Sequence, residues 1–314
     1  MFKNLSPSAI GISGHQSEII ELALTFGFGG LELDMAEFAG RVKLHGMSYA
    51  RRLIDSANIQ VGTFPLPVDW ETEDADFQKQ LEALAEIAAL AAEIGCTRCL
   101  AMLPAGGDRL PYHENFEFHK ERFTAICKAL EPSGIHLGVG FHAAEYLRKD
   151  KEFQFIHDMD ALSLLINMVG APNLGILLDV WDLVVGGGSI ESIGGMSPQQ
   201  IVAVQVAELP QDVAVADLDK DSRLLPVVEN GRIDIAAVLG SLKDIGYEGP
   251  VAVAPSQGIF RTRRRDMIAR QVAEALDAPW RAAGLPSSLK LQPLPAPPAA
   301  KPEGPAESET PAEG

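Results

Sequence analysis

The feature that most constrains this chain is an alternation repeated eight times: a short β-branched or apolar run, then a longer segment with apolar residues at three- and four-residue spacing. Strands that alternate with helices pair in parallel through helical crossovers, and eight such units close a sheet on itself. The runs read as strands are 9–13, 31–34, 60–64, 98–103, 135–142, 174–179, 201–207 and 251–254; helical spacing is read over 17–26, 74–94, 115–130, 159–169, 235–245 and 263–276. Gly95, Gly134, Gly170 and Gly246 stand where a residue just past a helix end must turn left-handed. The expected fold is therefore a single α/β domain, a (β/α)₈ TIM barrel. An open doubly wound sheet would alternate similarly, but no G-x-G-x-x-G follows the first run, so a dinucleotide site is not expected.

Charge and composition narrow the partners. With 43 acidic against 26 basic residues the net charge is −17, a field that repels nucleic acid. No uncharged apolar run is long enough to span a bilayer, and the N-terminus reads straight into a strand-like segment rather than a signal peptide, so the chain is expected in the cytoplasm, with no membrane partner. Cys96-Thr97-Arg98-Cys99 is a lone C-x-x-C without the second pair that structural zinc requires, and Cys99 opens an apolar strand. After Leu285 the composition turns to Pro, Ala, Glu, Ser and Lys, with eight of the chain's 21 prolines there. The domain is placed at 1–283, and 284–314 is expected to be a disordered tail.

In a barrel, chemistry sits at the carboxyl ends of the strands. If Asp179 points inward at the end of its strand, Gly175 and Leu177 share its face while Ile176 and Leu178 pack on the helices. Just beyond lies Gly186-Gly187-Gly188, either a phosphate cradle or a flexible connection before a helix cap at Ser189. The Arg261-Thr262-Arg263-Arg264-Arg265 run is either a solvated helix face or an anion patch.

The stretch from Gly175 through Asp179-Val180-Trp181-Asp182 to Ser189-Ile190 resembles the sugar phosphate isomerase/epimerase family of the xylose isomerase-like superfamily. Gly27 to Asp34, Pro111 to His119, Ser222-Arg223-Leu224-Leu225-Pro226 and Gly246 to Val251 carry the resemblance further, over roughly residues 9–278. It implies a divalent cation held by Glu, Asp, His and Glu at the ends of four successive strands, with the two glutamates shuttling a proton between sugar carbons. Here those positions fall on Gly140, Asp179, Gln205 and Ala254, and a further site histidine of the family falls on Asp182. Asp179 is thus the one retained metal ligand, and one carboxylate does not hold such an ion against water. Gly140 and Ala254 also lack any titratable side chain.

The mouth still offers His142, two residues past Gly140, as a base or ligand or as a satisfied strand-end histidine. Glu208 is the other catalytic candidate, and Glu145 could swing in from a loop. Asp182, Gln205 and Arg223 are read as ligand-binding, with Arg223 otherwise pairing at the surface with Asp219 or Asp221. The reading favoured is a non-catalytic or altered relative that binds a small sugar-like ligand, with no cofactor expected. An active isomerase or epimerase rebuilt from His142, Asp179, Asp182 and Glu208 is the first alternative, with divalent metal only in that case. A scaffold that recruits a protein partner through the tail is the second.

Overall fold

The computed structural model describes residues 1–287. Eight parallel strands form a closed barrel: β1 (Phe2–Leu5), β2 (Gly30–Glu32), β3 (Gln60–Pro65), β4 (Arg98–Met102), β5 (His136–Gly140), β6 (Leu174–Asp179), β7 (Ile201–Val206) and β8 (Pro250–Val253). Each strand pairs with its sequence neighbours, and β1 closes on β8 with Phe2 opposite Pro250. Closure leaves no unpaired edge, so the barrel needs no covering strand. Around it lie α1 (Gln16–Thr25), α2 (Met35–His45), α3 (Met47–Ala57), α4 (Asp74–Glu93), α5 (Tyr112–Leu130), α6 (Met159–Val169), α7 (Val180–Val185), α8 (Ile235–Asp244) and α9 (Arg265–Ala282).

Local chemistry sets these boundaries. Asp34 caps α2 by accepting from the amides of Ala36 and Glu37 at 2.9 and 3.0 Å, and Asp158 and Asp234 cap α6 and α8 in the same way. Gly95, Gly134, Gly170 and Gly246 all take positive φ, as their place after a helix requires. Apolar side chains from both faces of the strands and the inner faces of the helices form one continuous core.

The first strand is not 9–13 but β1, Phe2–Leu5. Lys3 and Asn4 hide it from a hydropathy reading, because both are polar residues buried among distant segments, Lys3 against Asp277 and Asn4 against Thr63. The stretch expected to be that strand begins in a single helical turn, Pro7–Ile10. Pro7 stands at its start and Gly11 closes it at φ 68°, an arrangement that favours a turn over extended chain. Helices α2 and α3, between β2 and β3, were not anticipated. At the other end α9 runs on to Ala282, and Leu285 and Pro286 fold back on it, the Leu285 amide donating to the Trp280 carbonyl at 3.1 Å and Trp280 Nε1 to the Pro286 carbonyl at 3.0 Å. The rest of the expected tail, 288–314, lies outside the described residues. Among the described residues no helix is long and apolar enough to cross a membrane.

The amino end of the barrel is closed by a buried ion pair. Lys3 Nζ contacts the carboxylate of Asp277 on α9; the two side chains are 5% and 7% exposed, and Arg281 also reaches Asp277, at 2.7 Å. Lys3 in addition donates to Ser287 Oγ at 3.1 Å and lies 5.7 Å from the centre of the Trp280 ring.

Candidate functional site

At the carboxyl end of the barrel Asp179 lines an open cavity. Asp179 ends β6 and starts α7, with Oδ1 accepting from the Asp182 amide at 3.1 Å. Asp182, in the first turn of α7, is 1% exposed, and its Oδ1 accepts from the Ala143 amide at 2.8 Å. Arg223 then crosses from the β7–α8 connection and inserts between the two carboxylates. Nη1 donates to Asp182 Oδ2 at 2.8 Å, Nη2 donates to Asp179 Oδ2, and Nε donates to the Ala254 carbonyl at 2.9 Å. Its guanidinium lies 4.8 Å from the centre of the buried Trp181 ring. Every oxygen of both carboxylates is therefore used, and the fork geometry that a lysine could not reproduce supplies two of the four bonds.

This clamp forms one wall of an open cavity of about 380 Å³, lined also by His142, Tyr146, Gln205, Met102 and Ser8. That is within the size range of small-molecule sites. His142 Nδ1 lies 3.9 Å from Asp182 Oδ2. Burial first, and then the Arg223 charge, hold the His142 pKa below its ordinary value, so the ring is neutral at neutral pH and can both donate and accept. Burial, reinforced by the Asp179 charge, raises the Asp182 pKa against the opposing pull of Arg223. Burial likewise raises the Tyr146 hydroxyl.

Gly140 sits beside Met102, which lines the mouth. A side chain added there would begin 2.5 Å from Met102 Sδ and 3.3 Å from the Leu177 carbonyl, so Met102 would have to move to admit an acidic residue. Gln205 pairs with Asp179 across the β6–β7 ladder and lines the cavity, as does Ala254 after β8. Among the described residues no group of three or more His, Cys, Asp or Glu side chains is placed to hold a metal ion.

The structure thus brings Asp179, Asp182, Gln205, His142 and Arg223 together. Strand β5 stops at Gly140, so His142 reaches the mouth from the following loop rather than from the strand. Glu208 does not join them. Its Oε1 accepts from the amides of Leu209, Arg232 and Ile233, which braces the loop after β7, and it does not line the cavity. Glu145 is exposed, and its neighbours Tyr146 and Leu147 line the mouth instead. Arg223 does not pair with Asp219 or Asp221: Asp219 bonds Ser222 and Asp221 lies by Arg261. Tyr146 and Ser8 are cavity residues that the sequence reading missed, since neither belongs to a strand end or a charged motif.

The remaining motifs take structural places. Cys96, Cys99 and Cys127 are free, buried thiols, with burial raising the pKa of each. Gly186 ends α7, and Ser189 caps the next short helix by accepting from the Glu191 amide. Arg261, Arg264 and Arg265 pair with Asp221, Asp266 and Glu18 at the surface.

A family model described as xylose isomerase-like TIM barrel matches residues 20–278. The inosose isomerase of Bacillus velezensis is 26% identical over 133 residues, which are 42% of this chain and 44% of that enzyme. The match thus spans less than half the length of that curated relative. Among solved structures, a xylose isomerase domain protein from Alicyclobacillus acidocaldarius superposes with a TM-score of 0.78 at 23% identity, covering 90% of this chain and 99% of that one. A D-psicose 3-epimerase from Clostridium cellulolyticum, solved with D-tagatose, gives 0.67 at 15% identity over 90% and 99%. At such identities the structural likeness establishes the fold alone.

Proposed function

The chain belongs to the xylose isomerase-like TIM barrel family, and we propose that within it this protein binds a small polyhydroxylated, sugar-like ligand at the barrel mouth without a divalent metal and without isomerase chemistry. One observation carries the reading: the Arg223 guanidinium occupies the free oxygen of Asp179, the sole ligand retained from the set that the family resemblance implies. An ion arriving there must displace a fixed cation that already supplies charge and two-pronged hydrogen bonds. Beyond Asp179, the other three positions offer only the amide oxygen of Gln205, since Gly140 and Ala254 have no donor atom in their side chains. The donor set does not fit a divalent ion. Those same two positions leave no acid or base to carry a proton between adjacent carbons.

The cavity's polar lining supports ligand binding as a separate matter. A neutral imidazole, a phenol and a carboxamide from His142, Tyr146 and Gln205 each can donate and accept, which suits hydroxyl groups. Calorimetry with a panel of neutral hexoses and inositols, run with and without EDTA and paired with elemental analysis, tests the reading. The expected result is a saturable ligand unaffected by EDTA, weakened about tenfold by Gln205→Ala through loss of one good hydrogen bond. One tightly held ion per chain, or a sugar isomerase activity abolished by EDTA, overturns it.

A further inference from the structure

A second cavity, of about 260 Å³, lies beside the mouth, between the chain that follows β1 and the start of α2. Asp179, Asp182 and Arg223 do not line it. Ser8 is the residue that it shares with the mouth. One side is apolar, formed by Ile12, Ile19, Leu31 and Phe38, and the other carries Gln16 and Glu32.

The two polar side chains leave unused acceptors. Gln16 is 4% exposed; its Nε2 faces the Ala50 carbonyl at 3.5 Å, and its Oε1 has no hydrogen-bond partner among the described residues. A buried acceptor without a donor is rare and costly in a folded protein. Glu32 is 8% exposed; its Oε2 accepts from the Ser6 hydroxyl at 2.9 Å and its Oε1 from the Ser8 amide at 3.2 Å, and the Ser8 hydroxyl also bonds the carboxyl, which leaves about one of its four acceptor positions open. Burial raises the Glu32 pKa, as expected for a carboxyl lacking a cation. The one cation on the cavity wall, Arg41, stands beside Glu37 at 3.8 Å, and the Asp34 carboxylate is committed to capping α2.

We propose that this cavity is a binding site for a small primary amine with an apolar body, its ammonium group donating to Gln16 Oε1 and the Glu32 carboxylate while the body packs on Phe38 and its apolar neighbours. The site is built of acceptors on one side and hydrocarbon on the other, so it selects a donor-ended ligand and rejects an anion of the same shape.

Saturation-transfer NMR and calorimetry on the full chain with benzylamine, benzyl alcohol and benzoate decide the matter. Benzylamine should bind, benzyl alcohol at least several-fold more weakly, and benzoate not at all. Gln16→Leu keeps the volume and removes the unpaired acceptor, so it should fold with an unchanged or raised melting temperature while weakening benzylamine about tenfold. Gln205→Ala, at the mouth, should leave benzylamine binding unchanged. The proposal fails if benzylamine does not bind, if benzoate binds equally well, or if Gln205→Ala weakens the amine while Gln16→Leu does not.

Discussion

The two ends of this barrel each bury an aspartate against a basic side chain, and they use the pair differently. At the amino end Asp277 meets Lys3 under Trp280, with the chain from Leu285 folded back on the same helix. At the carboxyl end Asp179 and Asp182 meet Arg223 on the wall of an open cavity. Barrels in general confine function to the carboxyl end and leave the other to stability. The contrast here is that one pair is sealed from water while the other faces a space where water or a ligand relieves it. Burial would raise the Asp277 pKa, but the bonds from Lys3 and Ser287 outweigh it and hold the carboxyl below its ordinary value. In Asp182 burial and the Asp179 charge prevail over Arg223.

The largest expected effect follows from breaking the sealed pair. Asp277→Ala leaves the Lys3 ammonium buried with Ser287 as its remaining hydrogen-bond partner among the described residues, and should cost about 3–5 kcal/mol in denaturant unfolding, with ligand binding at the mouth unaltered in the variant that remains folded. A loss under about 1 kcal/mol would show that the amino-end pair is not a stability element.

Arg223→Met should cost less, about 1–3 kcal/mol, because the cavity lets water or protons reach the two carboxylates left behind. Its pH dependence gives the sharper test. Without the guanidinium the pull that opposes the raised Asp182 pKa is gone, so that carboxyl titrates further above its unfolded value, the folded state binds more protons and stability falls more steeply as pH rises from about 4. The parent shares this slope through Asp182, but less steeply. Unfolding at pH 5 and pH 8 should therefore show a larger Arg223→Met deficit at pH 8, and an equal deficit at both would mean that the carboxylates are not what the arginine neutralises.

The smallest effect belongs to the neighbouring strand end. Gly140→Ala puts a carbon 2.5 Å from Met102 Sδ, and since a methionine side chain can shift, the cost should be about 1 kcal/mol. A double-mutant cycle with Met102→Ala should give a coupling of at least about 0.5 kcal/mol; strict additivity would show that Met102 does not fill the space at residue 140.

Much of this molecule was legible in the chain. Asp179, an acidic residue closing an apolar strand, lines the mouth, and the C-terminal glycines of the helices stand where their spacing implied. The misreadings share a cause. Strand β1 carries Lys3 and Asn4, whose burial depends on Asp277 and on Thr63, distant in sequence. For Arg223 the nearby Asp219 and Asp221 were the obvious partners, whereas the loop carries it to residues more than forty positions away. Glu32 could have been flagged as an acidic residue that ends a short apolar strand. Gln16 carried no signal at all.

The sequence by itself determined the barrel, because alternating strand and helix periodicities, each with its own caps and glycines, agree along the whole domain and leave few topologies open. It also determined which side chains are absent from the mouth, since Gly140 and Ala254 cannot supply groups they do not have. Only the tertiary structure decided what stands in their place. Which cation meets Asp179, which carboxylate braces a loop instead of lining a site, and which amide is left without a donor are all set by contacts between distant segments, and hydrogen bonding of that kind has no period along the chain to read.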